Sequence, residues 1–418
     1  MQKRISIVII AIVVFCNIIS SVNASSNTSE LPTFAVVDTS EEVQETVKSI
    51  EAQPAVAEAN FNFTSKSQIL MEMSTGRVIY ENNADEKAYP ASVTKIMTML
   101  LIMEAIDSGK ISYEDKVVCS ENAASMGGSQ IWFKVGEELT VDEALKCICV
   151  VSANDVCIAM AELIGGNEEN FVKMMNDKAR KLGMTGTNFV NAHGIDDPNH
   201  YTTARDIAIM SKELMVNHPD ITKYTTIWMD SIRGGTFELS NTNKLIKYYD
   251  GATGLKTGYT STAMYNLSAT ATKNDMSLVA VVLTAPSSNI RNEEAKQLLN
   301  YGFTNYETQK LGNKGDVIDK ISVNKCLEKQ IEVVLEKDIS LLNEKGSNNE
   351  YNKKVIINKN IKAPLKQGNK VGQIVYTDID GNEVGKTNII VKNDIKKSGV
   401  LDYIKYSLKT YLMGIELI

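Results

Sequence analysis

From Val93 to Ser108 the chain carries a helical stretch with no polar face. Ile96, Met97, Met99, Leu100, Leu101, Ile102 and Met103 point to every side of a 3.6-residue turn, so the helix must be the centre of a core. At about fifteen residues with polar interruptions it is too short to span a bilayer. Gly109 ends it. Directly ahead stand Tyr89-Pro90-Ala91-Ser92-Val93-Thr94-Lys95. Helical residues three apart share a face, so the Ser92 hydroxyl and the Lys95 amine project together. Serine is a weak nucleophile without an adjacent base. A lysine is that base only if burial or a second cation keeps it unprotonated. Ser322 and Lys325 repeat the spacing, but in a stretch that reads as surface strand with no buried helix behind it.

The segments around this helix read as a mixed fold. Ile69-Leu70-Met71-Glu72-Met73, Ser74-Thr75-Gly76 and Arg77-Val78-Ile79-Tyr80 are strand, tight turn and returning strand. A second apolar helix covers Val141 to Val150 and a third runs from Val156 to Ile164. Between them lies Ser152-Ala153-Asn154, where a buried hydroxyl and amide need partners. The plainer role for Ser152 is to cap the following helix. Helices are expected from Phe171 to Leu182 and from Thr203 to Asn217. The loop between them holds His193 and His200, which read as turn and hydrogen-bonding residues before they read as partners of a serine. Strands follow at 254–260, 265–272 and 276–284, the first carrying Lys256-Thr257-Gly258, then a helix at 292–301. A cation and a hydroxyl beside a glycine on an exposed strand suit a carboxylate, although such a lysine also serves solubility.

Composition bounds the rest. A chain of 418 residues exceeds one ordinary core, so at least two domains are expected. A net charge of -7 argues against nucleic acid as a partner. Lys3 and Arg4 precede an apolar run from Ile5 to Ile19 and then Val22-Asn23-Ala24. This reads as an export signal over residues 1–24 rather than a retained anchor. Residues 25–60 read as a linker. Cys119, Cys147, Cys149, Cys157 and Cys326 then remain, an odd number that suggests buried thiols and no disulfide framework. No metal is called for, because His193, His200 and His218 are not at ligand spacing. Residues 314–393 alternate short apolar strands with Lys/Asn/Gly loops and read as a small β domain. In residues 394–418, Leu401, Ile404, Leu408, Leu412 and Ile415 fall at helical spacing with Lys405 and Lys409 off the stripe. This suits a helix lying in a membrane interface, or one docked on the β domain.

The order S-x-x-K, S-x-N, K-T-G resembles that of the low-molecular-weight penicillin-binding proteins, the serine-type D-alanyl-D-alanine carboxypeptidases. The resemblance implies an α+β catalytic domain over residues 61–306, a five-stranded antiparallel sheet with helices on both sides. A small all-β domain and a C-terminal amphipathic helix follow, on the outer face of the bacterial cytoplasmic membrane. It implies Ser92 as acyl-ester nucleophile, Lys95 as general base held neutral with help from Lys256, and Ser152 as proton relay. Asn154, Lys256, Thr257, Gly258 and Tyr259 would bind substrate, the backbone amides of Ser92 and Tyr259 forming the oxyanion hole. The implied partners are peptidoglycan stem peptides, β-lactams as covalent inhibitors, and the membrane through the tail; no cofactor is implied. Some relatives carry an arginine upstream of K-T-G, where this chain has Asn241-Thr242-Asn243-Lys244. A β-lactamase would need a glutamate such as Glu213 in Glu213-Leu214-Met215-Val216-Asn217, which instead reads as helix. A non-hydrolytic β-lactam sensor or cell-wall binder would keep Ser92 and lose turnover.

Overall fold

The computed structural model describes residues 44–48, 59–328, 330–347 and 349–415. The export signal expected over 1–24 lies outside them, as does most of the stretch read as a linker. Within that stretch, Gln44–Lys48 is a strand paired antiparallel with Glu350–Ile357.

Five strands build the central sheet: β1 (Ser67–Glu72), β2 (Val78–Asn82), β3 (Ala252–Thr260), β4 (Met264–Lys273) and β5 (Met276–Ala285). All neighbours are antiparallel, in the order β2-β1-β5-β4-β3, which leaves β3 and its K-T-G triplet on an edge. Alternation along β5 shows why the sheet is covered twice. Val279, Val281 and Leu283 join the helical core on one face, while Leu278, Ala280 and Val282 meet Ala295, Leu298 and Leu299 of the helix Ser288–Asn305 on the other. That helix is longer at both ends than the apolar pattern alone predicts, Ser287 capping it through the Ile290 N–H.

The helical side is organised around α1 (Lys95–Asp107). Every residue from Lys95 to Met103 is buried. Around it pack α2 (Asn154–Gly165), α3 (Glu168–Leu182) and α4 (Ala204–Asn217), the last capped by Thr203. Two local departures from regular helix bear on the site. Ser92 lies in a 3-10 turn, Ala91–Thr94, ahead of α1, and Val141–Lys146 runs into a π turn, Cys147–Val151. A 3-10 turn eclipses positions three apart, so the serine–lysine register is tighter than α-helical spacing alone would make it.

The C-terminal domain is a six-stranded antiparallel sheet completed by Gln44–Lys48, with its own core around Val333, Ile374 and Ile389. It meets the domain of the five-stranded sheet through the Arg77 guanidinium on the Leu342 carbonyl (2.9 Å) and Lys345 on the Phe303 carbonyl (2.7 Å). The final helix, Val400–Ile415, leaves this domain with Leu401 71% and Leu408 57% exposed. Tyr403 donates to the Cys326 carbonyl at 3.0 Å. Over Leu401 to Leu408 the apolar stripe is exposed and not docked on the β domain. No helix among the described residues is long and apolar enough to cross a membrane.

Leu100 has no exposed surface at the centre of α1. Leu100→Ala is expected to lower stability by about 2–5 kcal/mol in urea unfolding. A loss under about 1 kcal/mol would mean that α1 is not the packing centre.

Candidate active site

Lys95 gathers the site. Its Nζ, wholly buried, donates to Ser92 Oγ at 2.9 Å, to Asn154 Oδ1 at 2.6 Å and to the His193 carbonyl at 2.7 Å. An ammonium has three protons, and all three are used. Burial pushes Lys95 down from the usual lysine range to about 8, against the pull of Asp155. Lys256, equally buried, donates to the Thr257 carbonyl at 2.9 Å and falls to about 7 through burial and then through the charge of Lys95. The sequence reading had Lys256 helping to keep Lys95 neutral. Burial is the largest cause for each amine, and two cations this deeply buried also repel each other.

The Ser92 turn is clamped from three sides. Ala91 sits at φ +48, a left-handed conformation that costs a non-glycine residue roughly 1–2 kcal/mol. Asn266 on β4 donates to the carbonyls of Tyr89 (2.8 Å) and Pro90 (3.2 Å). Gly258 comes so close that a Cβ there would lie 2.8 Å from the Pro90 oxygen and 3.1 Å from the Ser92 nitrogen. The edge strand and the Ser92 turn are thus packed backbone against backbone. On the third side, a Cβ on Gly194 would fall 1.9 Å from the Ala91 oxygen.

Ser152 does not cap α2; Ala153 holds that position. Ser152 ends the π turn at φ +65, buried, and its Oγ is the one buried side-chain polar atom without a partner among the described residues. An orphaned buried hydroxyl held in a strained backbone has no packing explanation. Asn154 is tied at both ends: Oδ1 accepts from Lys95 and Nδ2 donates one of its two protons to the Gly127 carbonyl at 2.7 Å. Its amide group orients the lysine and keeps a second N–H, which a substrate can use. Thr257 donates to Thr242 Oγ1 at 2.8 Å, so a threonine hydroxyl stands next to the K-T-G triplet in the stretch that lacks an arginine. Tyr259 is exposed, its ring 4.4 Å from that of Tyr265.

The remaining candidates separate cleanly. His200 Nε2 bonds Thr94 Oγ1 (2.8 Å) and its Nδ1 accepts from the Val190 N–H (3.1 Å), while burial pushes it down to about 4. Burial and Lys95 push His193 down to about 3. Both are neutral at pH 7, and they hold the loop that supplies the His193 carbonyl. Glu213 pairs with Lys178 (2.8 Å) and accepts from Asn217 (2.6 Å), away from Ser92. Glu104, Glu213 and His218 converge at metal-ligand spacing, but Lys178 already occupies both carboxylates. Lys325, at φ +67 beyond a β-domain strand, forms no constellation with Ser322. All five described cysteines are buried and free. Asn266 and Gly194 escaped the sequence reading, because nothing local marks a residue whose partner lies far away in the chain.

Three comparisons bear on this geometry. The family profile described as D-alanyl-D-alanine carboxypeptidase (peptidase S11) matches residues 52–287, and that of the penicillin-binding protein 5 C-terminal domain matches 306–397. The D-alanyl-D-alanine carboxypeptidase DacF of Bacillus subtilis is 45% identical over 348 residues, 82% of this chain and 89% of the relative. Among solved structures, penicillin-binding protein 5 from Haemophilus influenzae is similar with TM-score 0.66 at 32% identity, covering 82% of this chain and 100% of that one. Penicillin-binding protein D2 from Listeria monocytogenes, in its ampicillin-bound form, has TM-score 0.54 at 28% identity over 59% of this chain and all of its own.

Gly258→Ala should keep the fold by circular dichroism while lowering the reactivity of Ser92 towards an acylating reagent by at least about tenfold. That corresponds to roughly half the worth of one oxyanion donor. Undiminished reactivity would show that the close approach is not needed.

Proposed function

The chain belongs to the D-alanyl-D-alanine carboxypeptidase family, and on that premise we propose that it removes the terminal D-alanine of peptidoglycan pentapeptides through an acyl-enzyme on Ser92. The observation that carries this reading is the wholly buried Lys95 amine 2.9 Å from the Ser92 hydroxyl.

Two ammoniums buried together repel, so near neutral pH one of the pair tends to give up its proton. At rest, three acceptors at Lys95 against one at Lys256 favour the charge on Lys95. A substrate carboxylate arriving at Lys256, Thr257 and Thr242 reverses that preference and frees Lys95 to act as base. Ser92 Oγ then attacks the carbonyl between the two D-alanines as its proton passes to Lys95 Nζ. The amides of Ser92 and Tyr259 stabilise the oxyanion, a contribution of about 3 kcal/mol per donor. The C–N bond breaks as a proton passes through Ser152 Oγ to the leaving nitrogen, D-alanine departs, and water cleaves the ester. Asn154 keeps Lys95 aimed. β-Lactams, which resemble the substrate, acylate the same serine.

The same reading assigns residues 1–24 to export, 25–60 to a linker that carries the Gln44–Lys48 strand of the β domain, 61–306 to catalysis and 314–393 to the β domain. Residues 394–418 become a helix on the outer face of the cytoplasmic membrane. The exposed Leu401, Ile404 and Leu408 support that last role.

Purified protein is expected to release free D-alanine from a pentapeptide ending in D-Ala-D-Ala, and Ser92→Ala to release none; a silent wild type sinks the reading. The pair must carry one proton, held on Lys256 once the carboxylate binds. Acylation by a labelled penicillin should therefore rise from pH 6 as one ammonium of the pair is lost, Lys256 having fallen to about 7 and Lys95 to about 8. It should decline again well above pH 8, where both are neutral. A rate flat across pH 6–8 would remove Lys95 as the base. Deleting residues 399–418 should move the protein from membranes to the soluble fraction, and continued membrane association would refute the anchor.

A further inference from the structure

Trp132 is 66% exposed, yet its surroundings are rigid. Its backbone lies at φ +54, a conformation disfavoured for a bulky side chain. The amides on either side, of Ile131 and Phe133, both donate to the buried Asp155 carboxylate at 3.0 Å. Arg233, paired with Glu137, donates to the carbonyls of Ile131 (2.9 Å) and Trp132 (3.4 Å). The indole stands edge-on to Phe237 at 6.0 Å, and the Arg233 guanidinium covers Phe237 at 5.2 Å. A large apolar ring held exposed on a backbone tied down on both sides offers a stacking face.

Both segments run into the site. Three residues before Trp132, the Ser129 carbonyl accepts the Asn154 N–H at 2.7 Å. The strand Phe237–Ser240 leads to Thr242, the partner of Thr257. Chain reach keeps the Trp132 backbone within about 11 Å of Ser129, roughly the span of three extended peptide residues. On its leaving side the substrate offers a single residue, so a contact several residues out is met only by the acyl-donor side.

We propose that Trp132, backed by Phe237, is a specificity-determining platform that stacks on the stem peptide a few residues before the scissile bond. The proposal rests on the carboxypeptidase reading for its ligand. Trp132→Ala should raise KM for a sugar-free pentapeptide about tenfold with kcat unchanged, and leave an N-acetylated D-Ala-D-Ala dipeptide unaffected. Trp132→Phe should restore most of the affinity. Equal losses on both substrates, or none on either, overturn it. A second readout does not need turnover. The chain has two tryptophans, Trp132 and Trp228, so in Trp228→Phe all tryptophan emission comes from Trp132. The sugar-free pentapeptide should change that emission saturably. No change overturns the proposal, and a change seen only with a sugar-bearing stem overturns the peptide as the occupant. An emission change without any D-alanine release supports the platform while refuting the carboxypeptidase reading.

Discussion

A charged amine buried without water is costly unless every proton finds an acceptor, and Lys95 is where this structure meets that condition. Its three acceptors come from three separate segments: the Ser92 turn, the start of α2 and the His193 loop. Holding the ammonium thus holds those segments together. Asn154 stays aimed because its other end is tied to Gly127, and the His193 loop stays in place because His200 is tied to Thr94. The side chain proposed as the base is also the clasp of the fold.

The second constraint is that Lys256 lies in the same buried volume, where two full charges repel each other. The partners available to each amine therefore decide which one is charged, and an arriving anion can change the answer. Around this pair the backbone is held in conformations that ordinary folding avoids: φ +48 at Ala91, φ +65 at Ser152 and a π turn at Cys147–Val151. Such strain persists only where packing over-determines it. The buried α1 below and Asn266 and Gly258 beside it supply that packing.

Much of the fold is legible in the chain because it follows from periodicity. The unbroken apolar surface of Ile96 to Met103 marked the central helix, and period-two patterns marked β4 and β5 within a residue or so of their ends. Gly109 and Thr203 marked helix ends through their own backbone and side-chain chemistry. Less legible were the π turn, which continues the apolar pattern of a helix, and the strand at Gln44–Lys48, whose pairing partner is some three hundred residues away.

The sequence by itself determined which residues were able to react. Ser92 and Lys95 are three apart on one turn, and that spacing needs no tertiary information. It also placed Ser152 between two apolar helices and Lys256-Thr257-Gly258 on a strand. Only the tertiary structure decided what each does there. It joined Asn154 to Lys95 across fifty-nine positions, left the Ser152 hydroxyl unpartnered, and brought Gly258 against the Ser92 nitrogen. It also buried Lys95 completely, which lowers its proton affinity. Desolvation and long-range contact belong to the packed chain as a whole, so no local pattern of residues can carry them.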